Sequence, residues 1–231
     1  MDTTEGTMVL ACGGYRSGST LQYNLAGEYA ERSGLGRRIG FVEPEQAEVL
    51  PHVWSFVAAM GTAVAKCHLA PGVDPRSAVW DELLGRGRVC ALYTVRDWRD
   101  VVHSWTRKFG QSVEEVFDHP RWGLNLASMD AWLARGAHVV RYEDLTADPA
   151  GTLAQMLAWA GLTPDDDGVD AAVAAAARCR LPVQDADPRT LLHHDHVGDP
   201  AGGAWTCWTP AQEAVVRRHI DPLMERFGYS W

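Results

Sequence analysis

The chain has 231 residues, 46% of them hydrophobic and 22% charged, enough to bury one sizeable core in a single compact α/β domain spanning residues 1–231. Its formal net charge of −9 excludes a broad nucleic-acid or anionic-membrane surface, yet leaves room for a local basic pocket that takes one small anion. Cysteines 12, 67, 90, 179 and 207 are odd in number and three stand in apolar runs, which predicts buried free thiols in a reducing compartment rather than a disulfide frame.

Met1 to Gly6 lacks a basic leader, and the apolar run that follows is too short for an export signal. The longest uncharged apolar stretch, Val53 to Ala65, ends at Lys66, short of the ~20 residues a membrane span needs. A soluble, cytoplasmic protein is expected.

In chain order, Thr7–Cys12 predicts a strand and about Ser19 to Arg32 a helix. Arg38–Val42 reads as strand, followed by a helical stretch through Ala59. Thr62–Leu69 is strand, the region near Arg76–Leu84 helix, Arg88–Val95 strand, and about Trp98 to Phe109 helix. This alternation predicts a P-loop-like central parallel β-sheet with helices on both faces, whose ligands bind outside the carboxyl ends of the strands. The C-terminal half is helix-rich, around Trp122–Arg135, with one further strand at Ala137–Arg141. Asp148-Pro149 caps a helix to about Ala160. Asp165-Asp166-Asp167 suits the N-terminus of the alanine-rich helix Val169–Arg180. Arg189 to Thr206 is a long loop, and Thr209-Pro210-Ala211-Gln212 has capping-box form for a last helix to about Phe227.

Three short stretches carry chemistry. In "GGYRSGSTLQYN", Gly13 and Gly18 are spaced as in a phosphate cradle, but Ser19 stands where a Walker-type loop has lysine. The turn from strand into helix aims backbone N–H groups at one point, where Arg16 adds a charged fork and Ser17, Ser19 and Thr20 add hydroxyls. In "AKCHLAP", Lys66 and His68 are two apart, so an extended backbone puts both side chains on one face. Such a pair suits group transfer: the cation offsets charge on a leaving oxygen while neutral imidazole removes a proton from an incoming hydroxyl. In "YTVRDWRDVVHSW", Arg96 follows the strand directly and Ser104 lies about two helical turns on, so the two can clasp a second phosphate. Arg99 and Asp100 can instead form a weak surface pair.

Together "RSGST", "KCHLAP" and "VRDWRDVVHS" resemble, in order and separation, the successive signatures of the cytosolic-type sulfotransferases that use 3′-phosphoadenosine 5′-phosphosulfate (PAPS). "VVRYEDLTADP" is similar to that family's later strand and helix, and "HVGDPAGGAWTCWTPAQ" to its late glycine-containing loop; the likeness spans about residues 8 to 229. The resemblance implies that Arg16, Ser17, Gly18, Ser19, Thr20 and Leu21 hold the 5′-phosphate, so that no Walker lysine and no metal is required. It further implies that Arg96 and Ser104 hold the 3′-phosphate, that Tyr142 lies near the adenine, and that His196, Val197 and Gly198 belong to the loop closing over the nucleotide. Arg16 stands where the family commonly carries lysine, and His196-Val197-Gly198 where it commonly carries arginine-lysine-glycine.

The expected reaction is sulfuryl transfer to a hydroxyl or amine of a small organic acceptor, with His68 as general base and Lys66 and Arg16 stabilising the departing phosphate. Two other readings stay open: a P-loop kinase with a degenerate Walker A motif, which predicts Mg-ATP use, and a non-catalytic nucleotide-binding module. His193-His194-Asp195-His196 invites a metal, but no histidine or cysteine pair at the usual spacing completes a site. A solvent-exposed loop or acceptor-site lid is the alternative reading. Trp54, Phe56, Trp80, Trp105, Phe109 and Trp122 are candidates either for an apolar acceptor pocket or for core packing. No nucleic acid or membrane partner is expected, and a homodimer is one assembly the sequence leaves open.

Overall fold

The computed structural model describes residues 6–42, 61–70, 73, 88–179, 185–193, 196 and 202–231. Five parallel strands form one sheet: β1 (Thr7–Gly13), β2 (Gly36–Phe41), β3 (Thr62–Cys67), β4 (Arg88–Val95) and β5 (His138–Arg141), in the order β2-β3-β1-β4-β5. The helices are α1 (Ser19–Arg32), α2 (Trp98–Phe109), α3 (Val113–Asp118), α4 (Pro120–Ala134), α5 (Tyr142–Ala147), α6 (Pro149–Trp159), α7 (Asp166–Ala177) and α8 (Pro210–Arg226).

The strands are apolar on both faces because both faces are covered. Met8, Leu10 and Cys12 of β1, with Tyr93 and Val95 of β4, pack beneath α2, α4 and α8. Val9 and Ala11, with Val64, Cys90 and Leu92, pack beneath α1, α6 and α7. β1 is flanked by β3 on one side and β4 on the other. The connections therefore reverse direction there, and a crevice opens at the carboxyl ends of these three strands.

α1, α2 and β4 have the bounds read from sequence. β2 begins earlier, at Gly36, because its pairing with β3 starts at Gly36 opposite Thr62. Among the described residues, two α-helices lie outside the sequence reading. α3 is a short helix with a complete Ser112/Glu115 capping box, and α5 follows β5 without a loop. α7 starts at Asp166, with Asp165 as its N-cap accepting from the Gly168 N–H. The helical stretches expected through Ala59 and near Arg76–Leu84 fall outside the described residues. Among those described, no helix is long and apolar enough to cross a membrane.

One buried ionic cluster joins β2, α1 and the late loop. The Arg38 guanidinium reaches Glu28 at 2.6 Å and Glu31 at 2.8 Å, and donates to Asn24 Oδ1 at 2.9 Å. Arg189 reaches the same carboxylates, each at 2.7 Å, and Asn24 Nδ2 donates to the Thr190 carbonyl at 2.9 Å. Burial pushes the Glu31 carboxyl up, but the Arg38 hydrogen bonds outweigh it and hold the group at about 2. At Glu28 burial is likewise outweighed by Arg38, and the shift is downward. Depressed carboxyls stabilise the fold fully above their unfolded values and lose that contribution as pH falls through the folded ones. Arg38→Met removes the buried partner of Glu28 and leaves it only the more exposed Arg32 and Arg189, a loss expected to cost about 1–3 kcal/mol at pH 7. Urea denaturation should show the gap to wild type closing as pH falls from about 4.5 toward 2.

Candidate active site

The crevice is a cavity of about 590 Å³ bounded by the β1–α1 turn, the ends of β2 and β3, the β4–α2 junction and the late loop. Its shape begins with the turn after β1. Arg16 adopts a left-handed backbone, φ 71°, and Gly18 another, φ 96°. Gly18 has no alternative, because a Cβ there would come within 2.2 Å of the Tyr142 ring. The Ser17 hydroxyl donates to the Gly14 carbonyl at 2.8 Å, so it closes the turn and does not line the cavity. Gly18, Ser19, Thr20 and Leu21 do line it. The first helical bonds run from the Leu21 and Gln22 N–H groups to the Gly18 carbonyl. The N–H groups of Ser19 and Thr20 therefore sit at the unpaired N-terminus of α1, where an anion is favoured.

Parallel pairing of β1 with β3 brings the second stretch alongside, with Ala11 opposite Lys66 and Cys12 opposite Cys67. His68 Nδ1 lies 2.7 Å from the Gly13 carbonyl. A carbonyl only accepts, so Nδ1 carries the proton and Nε2 presents its lone pair. Lys66 Nζ is 3.3 Å from that Nε2 and lies over the Phe41 ring at 5.1 Å. The imidazole is walled by the rings of Tyr15 and Phe41, 4.5 and 5.4 Å away between centroids. Burial, and then the Lys66 charge, push His68 well below its ordinary value, so the ring is neutral at pH 7.

From β4 and α2 come Arg96 and Ser104. Ser104 Oγ accepts from Arg16 Nε at 2.8 Å, which joins the first and third stretches directly. The Arg96 guanidinium lies over the Tyr142 ring at 4.4 Å and 3.8 Å from the Asp100 carboxylate. Its buried Nε finds no hydrogen-bond partner among the described residues. The pairing anticipated for Arg99 and Asp100 is different in the fold. Arg99 pairs with the N-cap Asp97 at 2.5 Å, beneath Trp205, while Asp100 accepts from the Gly203 N–H at 3.0 Å. Asp100 thereby ties the β4–α2 junction to the C-terminal segment.

His196 lines the same cavity. Its Nδ1 accepts from the His193 N–H at 3.0 Å, and Nε2 faces Thr20 Oγ1 at 3.5 Å. Burial, then His193, Lys66 and Arg16, lower it to about 3, so it is a neutral donor toward Thr20. Val197 and Gly198 lie outside the described residues, as do His194 and Asp195. No three His, Cys, Asp or Glu side chains among the described residues converge as a metal site. Of the aromatic candidates, Phe109 lines the cavity. Trp105 and Trp122 are buried in the core between α2 and α4, and Trp54, Phe56 and Trp80 fall outside the description.

Sequence reading missed Tyr15, Phe41, Lys108 and Arg121 in the lining. It also missed two residues of α4 that hold the walls. Asn125 Oδ1 accepts from the Tyr15 N–H at 2.9 Å, and the Ser128 hydroxyl donates to the His68 carbonyl at 2.6 Å. The one signal for them was the polar interruption of an apolar helix face.

No family model matches the chain, and no curated protein matches it. Solved structures do. The chain is similar to mouse sulfotransferase SULT7A1 complexed with PAP, at 14% identity and TM-score 0.60, over 96% of this chain and 85% of that one. It is similar to the sulfotransferase domain of the Synechococcus PCC 7002 olefin synthase, at 18% identity and TM-score 0.56, over 98% and 95%. It is also similar to retinol dehydratase crystallised with androsterone and inactive cofactor PAP, at 13% identity and TM-score 0.58, over 97% and 81%. The chain thus has the sulfotransferase fold, a P-loop-like parallel sheet covered by helices on both faces.

Proposed function

We propose that this chain is a PAPS-dependent sulfotransferase that moves a sulfuryl group to a hydroxyl or amine of a small organic acceptor in the cytoplasm. The observation that carries the reading is the meeting of Arg16, Lys66, His68, Arg96 and Ser104 around one cavity, within the fold that PAP-bound sulfotransferases share. The neighbours' bound PAP supports the donor assignment, and so does the lining itself. Arg16, Lys66, Arg96 and the N-terminus of α1 form an anion cradle.

The donor supplies an activated sulfuryl group and two phosphate-bearing ends. Arg16 and the Gly18–Leu21 segment suit the 5′ end, and Arg96 with Ser104 the 3′ end. Arg16 delivers a wider fork than lysine, and its bond to Ser104 orients it toward both ends at once. Tyr142, packed between Gly18 and Arg96, offers a ring face beside the nucleoside. His68 Nε2 takes the acceptor proton as the acceptor oxygen or nitrogen bonds to sulfur. The sulfur–oxygen bond to the 5′-phosphate breaks, and its electron pair leaves with the bisphosphate, where Lys66 and Arg16 offset the charge. Lys66 Nζ faces His68 Nε2 in this structure. It must therefore turn toward the bridging oxygen before that lone pair can act. Ser19 in the Walker lysine position leaves a kinase without its β,γ-phosphate cation.

Adenosine 3′,5′-bisphosphate at 100 times its Kd is expected to raise the melting temperature by about 5–10 °C without a divalent metal. Stabilisation by Mg-ATP alone in the same assay would favour the kinase reading and reject this one. His68→Ala should lower kcat by ~10²–10⁴-fold while PAP binding, read by calorimetry, stays within about twofold. Unchanged turnover would reject His68 as the base. Since the neutral imidazole is the working form, activity is lost as pH falls through its pKa. For the free enzyme the acid limb of kcat/KM should lie well below 6.5. Donor anions relieve the surrounding cations, so the acid limb of kcat should sit at higher pH. Coincident limbs above 6.5 would contradict the site's electrostatics.

A further inference from the structure

Asp100 is a buried carboxylate beside a site proposed to take a polyanion. It is 8% exposed, in the first turn of α2, and burial pushes its carboxyl above the usual range. The helix dipole favours a negative charge in a first turn, but an exposed acid would serve the dipole without the cost of burial. Asp97, which accepts from the Arg99 N–H, already fills the capping role.

Two contacts account for its place. Arg96 Nη2 lies 3.8 Å from Oδ2, and the Gly203 N–H donates to Oδ1 at 3.0 Å. The chain reaches the carboxylate through two successive left-handed glycines, Gly202 at φ 72° and Gly203 at φ 78°. A Cβ at Gly202 would come within 2.5 Å of Oδ2, so the backbone there is shaped to Asp100. It leads directly into the single-turn 3₁₀ helix Ala204–Cys207. One carboxylate is therefore shared between that backbone and a cation that lines the cavity. Asp100 itself is not among the lining residues, so the contact through which it can act on a ligand is Arg96. The guanidinium has the Tyr142 ring against its face at 4.4 Å. A ring on the face and a carboxylate at the edge together restrict a side chain otherwise rich in rotamers.

We infer that Asp100 is a positioning residue for the 3′-phosphate: it holds Arg96 ready for that group and links the group's arrival to the Gly202–Gly203 backbone. Ordering Arg96 in advance lowers the cost of fixing it when the phosphate binds. A phosphate that draws the guanidinium toward itself weakens the Arg96–Asp100 pair, and the carboxylate then bonds the Gly203 N–H more strongly. The outcome is selection of a 3′-phosphorylated nucleotide over its 5′-monophosphate. The inference rests on the sulfotransferase reading and deepens it.

The test titrates the full chain calorimetrically with PAP and, separately, with adenosine 5′-monophosphate, which lacks only the 3′-phosphate. Wild type should favour PAP by about tenfold or more in Kd. Asp100→Asn keeps an oxygen for Gly203 and removes the charge beside Arg96. It should shrink that preference by about fivefold or more, with affinity for the monophosphate held within about twofold. Because Asp100 acts through Arg96, adding Asp100→Asn to Arg96→Gln should change the preference by less than about twofold in either direction. In ¹⁵N-labelled wild type the Gly203 amide resonance should move on saturation with PAP and stay in place with the monophosphate, a measurement that decides the matter even where Asp100→Asn does not fold. An unchanged or larger preference in Asp100→Asn, or an effect of Asp100→Asn that persists beside Arg96→Gln, would overturn the positioning role while leaving the donor site standing. So would a Gly203 resonance that answers both nucleotides alike. Failure of wild type to bind PAP, or to prefer it over the monophosphate, would instead bring down the donor assignment, and the role of Asp100 with it.

Discussion

The hydrogen bond from His68 Nδ1 to the Gly13 carbonyl is the contact on which the site depends. It spans 2.7 Å between the ends of two adjacent parallel strands. Because it fixes the tautomer, it also decides where the lone pair points, toward Lys66 and the open cavity. The carbonyl is available because the chain leaves β1 at Gly13, the last residue of the strand. A side chain at Gly13 would come within 3 Å of both Ser17 and Ser19. The same position therefore holds the imidazole on one side and lets the phosphate-type turn close on the other.

Around this bond the site is a frame of mutual constraints. Arg16 takes a left-handed backbone, uncommon for a residue with a Cβ, and its guanidinium is caught by Ser104 across the crevice. Asn125 and Ser128, one turn apart on α4, hold the turn after β1 and the backbone of His68 respectively. The late loop is pinned to α1 by Arg189 and Thr190, which carries His193 and His196 to the cavity wall. Three separate stretches of chain thus converge because α1 and α4, each buried along the sheet, supply fixed anchors for otherwise irregular segments.

How much of this was legible in the sequence follows from the range of each interaction. Parallel strands buried on both faces leave continuous apolar runs, so β1, β3 and β4 could be read directly, and the sharp end of β4 at Arg96-Asp97 marked the start of α2. Lys66 and His68 share a face by strand alternation alone, and the cavity lining includes both. The contacts joining Arg16 to Ser104, or Asn125 to Tyr15, cross 88 and 110 residues of chain. No local pattern encodes such pairings. Ser17 shows the converse: a hydroxyl in a glycine-rich loop reads as a ligand, yet its shortest path is to its own turn carbonyl. Trp105 and Trp122 illustrate the same ambiguity for aromatics, since an edge-to-face pair in the core and a pocket wall have one composition.

The electrostatics give the arrangement its direction. Burial first, and then nearby cations that include Lys66 and Lys108, hold the neighbouring imidazoles neutral, because a further proton would be poorly solvated in a field already unfavourable to it. In this structure His68 is a weak base with its lone pair facing the Lys66 ammonium. In the proposed function, an anionic donor draws the ammonium toward its own oxygens and so relieves the part of the His68 shift that Lys66 causes. On the proposed function, the imidazole is then a stronger base when the group to be transferred is in place.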